Sequence, residues 1–449
     1  LLRPAQGAVS SRAMRQRIRW LALHGVVRGI SAVAARRGDP QARLIADPRA
    51  RIDPGGFADE MRTLGRVVRG RAVLLTFDHA IAAEVLRSED WRVSALGVNL
   101  PKPLRWIVEH TDDDLLHPIQ PPSLLSIEPP EHTRMRKLVS SVFTTRAVAR
   151  LRERVQERAD QLLDELGGDT IDIVDRYCSQ LPVAVIGDIL GVPEADRPNI
   201  LRFGELAAPS LDIGLSWAQS RQVEEGIAGF DTWLGGHLRE LRRNPGDDLL
   251  SQIIAASDGG AAGAPLTERE LKALAGLVLA AGFETTVNLL GNGIRMLLDH
   301  PENLDTLAAR PELWPNTVEE ILRLDSPVQM SARIAGRDLD LAGTPVQRGE
   351  LIIVHLAGAN RDPAVFADPH RFDIERDNAG RHLSFSAGRH FCLGAALARA
   401  EGEVGLQTFF ARYPNARLAG TGARRDTRVL RGWASLPIAL GEARPALRS

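Results

Sequence analysis

A cysteine set between two glycines, directly ahead of an alanine-rich run, limits what this chain can become more than any other feature. Residues 385–394 read Phe-Ser-Ala-Gly-Arg-His-Phe-Cys-Leu-Gly, and Ala395-Ala396-Leu397-Ala398 follows. Alanine is the strongest helix former, so that run predicts a helix beginning just past Cys392. The partial positive charge of a helix N-terminus favours an anion, which predicts a lowered pKa for the Cys392 thiol. Gly388 and Gly394 let the backbone approach something large and flat. Phe385 can cover the sulfur, and Arg389 and His390 put positive charge or donors beside it. A lone cysteine at a helix start is more often a plain core residue; its neighbours at fixed spacing point here to a ligand.

The remainder of the chain sets bounds. Its 449 residues are 44% apolar, enough for a large core. A net charge of −1 gives no reason to expect a nucleic-acid partner. Two cysteines, Cys178 and Cys392, cannot form a disulfide framework and fit a reducing, cytoplasmic setting. Cys178 lies in an apolar segment and reads as core. No paired Cys or His spacing exists for zinc. Between Arg19 and Arg37 the apolar residues are interrupted by His24 and Arg28. No run reaches the roughly 18 residues of a spanning helix, so no transmembrane anchor is expected. Residues 1–18 read as a disordered leader, and 19–449 as one domain. Within it, 19–40 form an amphipathic helix, packed on the body or lying on a membrane surface.

Helical periodicity dominates. It predicts helices over 131–143, 147–167, 179–190, 217–243, 247–256, 267–299, 315–324 and 395–412. Short β-like segments fall at 66–75, 338–341, 351–355 and 436–440. Pro- and Gly-rich stretches at 100–130 and 257–265 read as long loops. The fold class is mainly α with small β-sheets.

Three further constellations stand out. Ala281-Gly282-Phe283-Glu284-Thr285-Thr286 lies inside the longest predicted helix, where an acid followed by threonine does nothing for an apolar helix. Gly282 has no side chain, so a flat ligand could approach there, and a threonine hydroxyl can bond its own i−4 carbonyl. His132 and Arg136, behind Glu128-Pro-Pro, share one helical face and suit a bound carboxylate. Glu320 and Arg323 are spaced to pair on a helix, but the same spacing recurs elsewhere as ordinary surface pairs.

The 385–394 loop resembles the cysteine-ligand loop of the cytochrome P450 family, whose pattern is Phe-x-x-Gly-x-His/Arg-x-Cys-x-Gly. Phe385, Gly388, His390, Cys392 and Gly394 match; Ser386 stands where bacterial members usually carry glycine. The resemblance covers about residues 60–441. It implies a single-lobed triangular fold and haem b held by the Cys392 thiolate. By the same match, Ala281 and Gly282 line the distal haem face, Thr285 holds dioxygen and Glu284 feeds protons. His132, Arg136, Arg333 and His390 bind the propionates. Glu320, Arg323 and Arg371 form a buried structural triad that fixes the cysteine loop.

Those implications add up to a haem-thiolate monooxygenase inserting one atom of dioxygen into a lipophilic substrate. No dinucleotide fingerprint is present, so a separate redox protein is implied, a ferredoxin with its reductase. Arg134, Lys137, Arg389 and Arg399 are candidates for docking it. By family analogy the substrate meets Val98, Leu279, Phe283, Val328, Met330 and Trp433, with Gln329 as a polar handle. The rivals are a peroxide-driven enzyme of this fold, a non-catalytic haem-dependent ligand-binding protein, and a cysteine hydrolase using Cys392 with His390 or His382.

Overall fold

The computed structural model describes residues 5–95, 100–111, 115–140, 143–258 and 265–445. Its centre is the helix Glu268–Asp299, apolar around most of its circumference and therefore buried on nearly every side. A capping box starts it: the Thr267 hydroxyl accepts from the Glu270 N–H, and the Glu270 carboxylate accepts from the Thr267 N–H. Leu274, Leu290 and Ile294 of this helix share one core with Leu181 and Ile186 of Gln180–Leu190. Leu406 and Phe409 of Ala395–Arg412, with Val155 and Leu163 of Thr145–Asp164, complete it. The central helix is thereby locked against the helix that follows the cysteine loop.

A five-stranded sheet stands beside this bundle. Its strands are β1 (Val67–Arg69), β2 (Leu74–Thr76), β3 (Trp91–Val93), β4 (Ser331–Ala335) and β5 (Leu351–Val354), in the order β1-β2-β5-β4-β3. β2 and β5 run parallel with Leu75 opposite Ile353, whereas β4 is antiparallel to both its neighbours. Arg333 on β4 faces Val93 in register, which fixes where its side chain emerges. Three smaller sheets complete the β structure among the described residues.

All eight helices anticipated from periodicity are present within a few residues, and the architecture is mainly helical with small sheets, as expected. Other elements differ. The stretch read as a leader is helical from Ala5 to Trp20, continuing through a π turn at Leu21–Gly25 into Val26–Arg36. The expected loop 100–130 contains the helix Lys102–His110, whose narrow apolar face of Leu104, Ile107 and Val108 packs on Ala22 and Leu23. The segment 66–75 is two strands, joined where Gly70 N–H donates to Val73 C=O. Most of the loop placed at 257–265 lies outside the described residues.

Candidate active site

The cysteine loop is built on its own backbone. Cys392 N–H donates to Phe385 C=O at 2.9 Å, and Ser386 N–H donates to Leu383 C=O at 2.8 Å. Ser386 and Gly388 both adopt left-handed conformations, with φ of 61° and 70°. A Cβ on Gly388 would lie 2.5 Å from Leu86 C=O, so this glycine serves close packing on the end of His79–Arg87 rather than approach to a ligand. Gly394 is different: no atom lies within 4 Å of where its Cβ would be, leaving space beside Cys392. Phe385 is buried, with the Arg399 guanidinium over its ring at 4.6 Å.

Cys392 is exposed, yet the atoms packed around it desolvate its sulfur. Desolvation raises its thiol pKa, opposed by the Gly394 N–H and the charges of Arg136 and Arg399. The direction is the reverse of that expected from the helix N-terminus alone. Enclosure outweighs the helix end and the neighbouring cations.

Next to the loop, the cations expected from sequence come together. His132 and His390 rings are 4.4 Å apart, and Arg136 donates to Phe391 C=O at 2.8 Å. Burial pulls the Arg333 pKa down to about 10. Burial, then His132, Arg333, Arg389 and Arg136, push His390 down to about 3. Glu128 answers this charge by accepting from Arg389 at 3.0 Å and from the Val93 N–H at 2.7 Å, and the exposed Glu89 lies 3.7 Å from Arg389. His390 Nε2 is buried without a hydrogen-bond partner. A crowd of buried donors with one orphaned nitrogen calls for added anions. With an accessible cysteine and an open glycine alongside, these residues fit a haem and its two propionates.

The central helix presents a stripe to open space. Ala281 is exposed and Leu277 and Thr285 are half-buried, each four residues apart, in a helix otherwise sunk in the core. The Thr285 hydroxyl donates to Ala281 C=O at 2.9 Å, the intrahelical bond its position allows. Gly282 faces elsewhere: its Cβ would sit 2.9 Å from Ile186, so its smallness brings two helices together and does not admit a ligand. Glu284 is buried, its pKa raised by desolvation and restrained by Arg425, whose guanidinium lies 3.3 Å away and also reaches Glu205 at 3.7 Å. Sequence reasoning missed Arg425, because no local pattern relates it to Glu284.

A second buried acid was also missed. Glu401, in the helix that follows Cys392, is 1% exposed, and burial raises its pKa to about 8 against a hydrogen bond from Thr286. Local sequence offered no distinct signal for it, since Arg399 and Glu403 stand beside it in the same stretch.

Glu320 and Arg323 form the expected buried pair, Nε to Oε2 at 2.7 Å. The third member is Arg376 and not Arg371. Arg376 Nε donates to Glu320 Oε1 at 3.1 Å, while the Arg371 side chain is exposed. Arg371 contributes only its carbonyl, which accepts from Arg323 and Arg376. After a left-handed Asp368 the chain turns Arg371 outward, and Arg376 comes round to the acid.

The expected substrate contacts divide. Val98 lies outside the described residues. Leu279, Phe283 and Trp433 are core residues: Phe283 fills the space over Gly204, and Trp433 is covered by Arg424 at 3.8 Å. Val328 and Met330 are half-buried, and buried Gln329 donates to Ser326 C=O with its own Oε1 unpartnered. Of the docking cations, Arg134 pairs with Glu270, Arg389 with Glu128 and Arg399 with Glu319; Lys137 is exposed.

Comparison with known proteins agrees in one direction. The family model described as Cytochrome P450 matches residues 236–417. A Mycobacterium tuberculosis protein described as cytochrome P450 140 is 64% identical over 433 residues, covering 96% of this chain and 99% of its own. The 6-deoxyerythronolide B hydroxylase of Saccharopolyspora erythraea is 41% identical over 318 residues, 70% of this chain and 76% of the hydroxylase. The solved structure of ligand-free CYP164A2 from Mycobacterium smegmatis superposes with a TM-score of 0.79 at 34% identity, covering 89% of this chain and 99% of that one.

Proposed function

The chain belongs to the cytochrome P450 family, the haem-thiolate monooxygenases, and from that premise we propose that it oxygenates a lipophilic substrate in the cytoplasm with electrons from a ferredoxin and its reductase. Bound haem supplies dioxygen activation and one-electron chemistry, which no side chain provides. Cys392 would hold the iron through its sulfur, and a bound cation would favour the thiolate. His132, Arg136, Arg333 and His390 would hold the haem propionates, whose charge would offset the clustered cations.

Thr285 donates a hydrogen bond into the cleft after rotating away from Ala281 C=O. Glu284 carries protons toward it; burial raises its pKa, and Arg425 sets how readily it leaves its ion pair. Proton delivery into a closed site needs such a relay of hydroxyl, carboxyl and water. Glu320, Arg323 and Arg376 play a structural part, fixing the segment ahead of the cysteine loop. The half-buried Val328 and Met330 favour an apolar substrate. Hydroxylation is the reaction named for the Saccharopolyspora relative, and it is the one we assign here.

The observation that carries this assignment is the accessible Cys392 at the head of Ala395–Arg412, beside buried cations and an orphaned His390 nitrogen. Carbon monoxide added to the reduced protein is expected to give the long-wavelength Soret band of thiolate ligation, lost in Cys392→Ala. Persistence of that band in the variant overturns the ligand assignment. Turnover with reduced ferredoxin and dioxygen, but not with peroxide alone, is the expected kinetic outcome; the reverse supports the peroxide-driven alternative.

A further inference from the structure

Among the described residues two helical stretches are long and apolar enough to cross a membrane by composition, Glu268–Asp299 and Ala13–Arg36. The first is the central helix, occupied with the core. The second, the N-terminal arm, is only 28% buried. One side of it is fixed to the body. Trp20 Nε1 donates to Leu215 C=O at 3.0 Å and its ring meets Trp217 edge-on at 5.7 Å. His24 Nδ1 accepts from Gly214 N–H, and Ala22 and Leu23 pack on Val108.

The other side is bare. Met14, Ile18, Leu21, Ile30 and Val33 are 65%, 43%, 53%, 54% and 51% exposed. On a regular helix Ile30 would sit about half a turn from Leu21, since each residue advances about 100°. The π turn, in which Val26 N–H donates to Leu21 C=O, absorbs one residue and brings Ile30 and Val33 back toward the face of Met14, Ile18 and Leu21. The bulge thus makes one continuous apolar stripe where the plain sequence period would make two divergent ones. The adjoining helix Lys102–His110 also exposes Trp106, which follows Arg105 and lies one turn after Lys102.

Charge decides what covers the stripe. Residues 1–38 contain eight arginines and no acid, so they contribute +8 to a chain total of −1, and the remaining residues carry −9. Arg15, Arg17, Arg28 and Arg36 are exposed along the arm. An apolar stripe flanked by arginines, on a helix held lengthwise against a soluble body, has the makings of an interfacial helix and not a spanning one. We propose that this arm docks the enzyme peripherally on an anionic lipid surface, lying in the headgroup plane with Ile18, Leu21 and Val33 inserted.

The test uses the full haem-loaded chain in a flotation assay. Vesicles contain equal parts phosphatidylglycerol and phosphatidylcholine, or phosphatidylcholine alone. Co-flotation with the anionic vesicles is expected at about 50 mM salt, falling roughly ten-fold without phosphatidylglycerol or at about 500 mM salt. The triple variant Ile18→Ser, Leu21→Ser, Val33→Ser changes only exposed side chains and is expected to keep its haem spectrum while losing flotation. Three results overturn the proposal. They are no flotation with either vesicle, flotation indifferent to both salt and phosphatidylglycerol (a spanning arm), and a dimer that the triple variant dissolves without any vesicle binding (a second copy on the stripe).

Discussion

Ser386 holds a left-handed backbone, φ 61°, where a side chain costs about 1 kcal/mol that glycine does not incur. Its hydroxyl is also buried without a partner. Ser386→Gly is therefore expected to stabilise the holoprotein by about 1 kcal/mol, read as a rise of about 1–3 °C in Tm with an unchanged haem spectrum; a lower Tm contradicts the strain. Glu401 gives a pH prediction. Its native pKa of about 8 lies above the ordinary 4.5, so the folded protein binds a proton that the unfolded chain releases across that window. Stability therefore falls as pH rises through it. Glu401→Gln should match the wild type near pH 5 and exceed it near pH 8.5 by on the order of a few kcal/mol; parallel Tm curves for the two proteins dispose of the idea. For Thr285→Ala, dioxygen consumption should continue while product formed per dioxygen falls several-fold, and coupling equal to wild type removes Thr285 from the relay.

Between elements, the acid–arginine cluster separates two arginines five residues apart. Arg376→Ala leaves Glu320 with one buried guanidinium in place of two and should cost about 3–5 kcal/mol. Arg371→Ala, which keeps the carbonyl that accepts from Arg323, should stay within about 0.5 kcal/mol. Denaturant titration of the pair decides it, and equal losses restore Arg371 to the triad. Helix against helix, Gly282→Ala places a methyl 2.9 Å from Ile186 and should cost about 1–3 kcal/mol. Part of that loss should be recovered in the double variant with Ile186→Ala, because the atoms met are the side-chain Cγ1 and Cδ1 of Ile186 and not backbone.

Across the whole molecule, three of the four cations considered for redox docking are held in ion pairs, so Lys137 is the one whose reversal to Glu should most directly slow electron transfer. What the chain settled by itself is whatever local chemistry can encode. The helix-forming run after Cys392 and the shared face of His132 and Arg136 depend on residues within about one or two turns of each other, whereas the spacing of Glu320 and Arg323 permits a pair without telling a buried one from a surface one. Spacing carries such information directly. Tertiary structure alone decided the rest: Arg425 beside Glu284, Arg376 in place of Arg371, Ile186 as the reason for Gly282, and Leu279 and Trp433 as core. Those contacts join residues far apart in sequence, whose approach is set by how helices pack. The Cys392 thiol shows the division most sharply, because the helix N-terminus that lowers its pKa is local, whereas the enclosure that outweighs it comes from the fold around it.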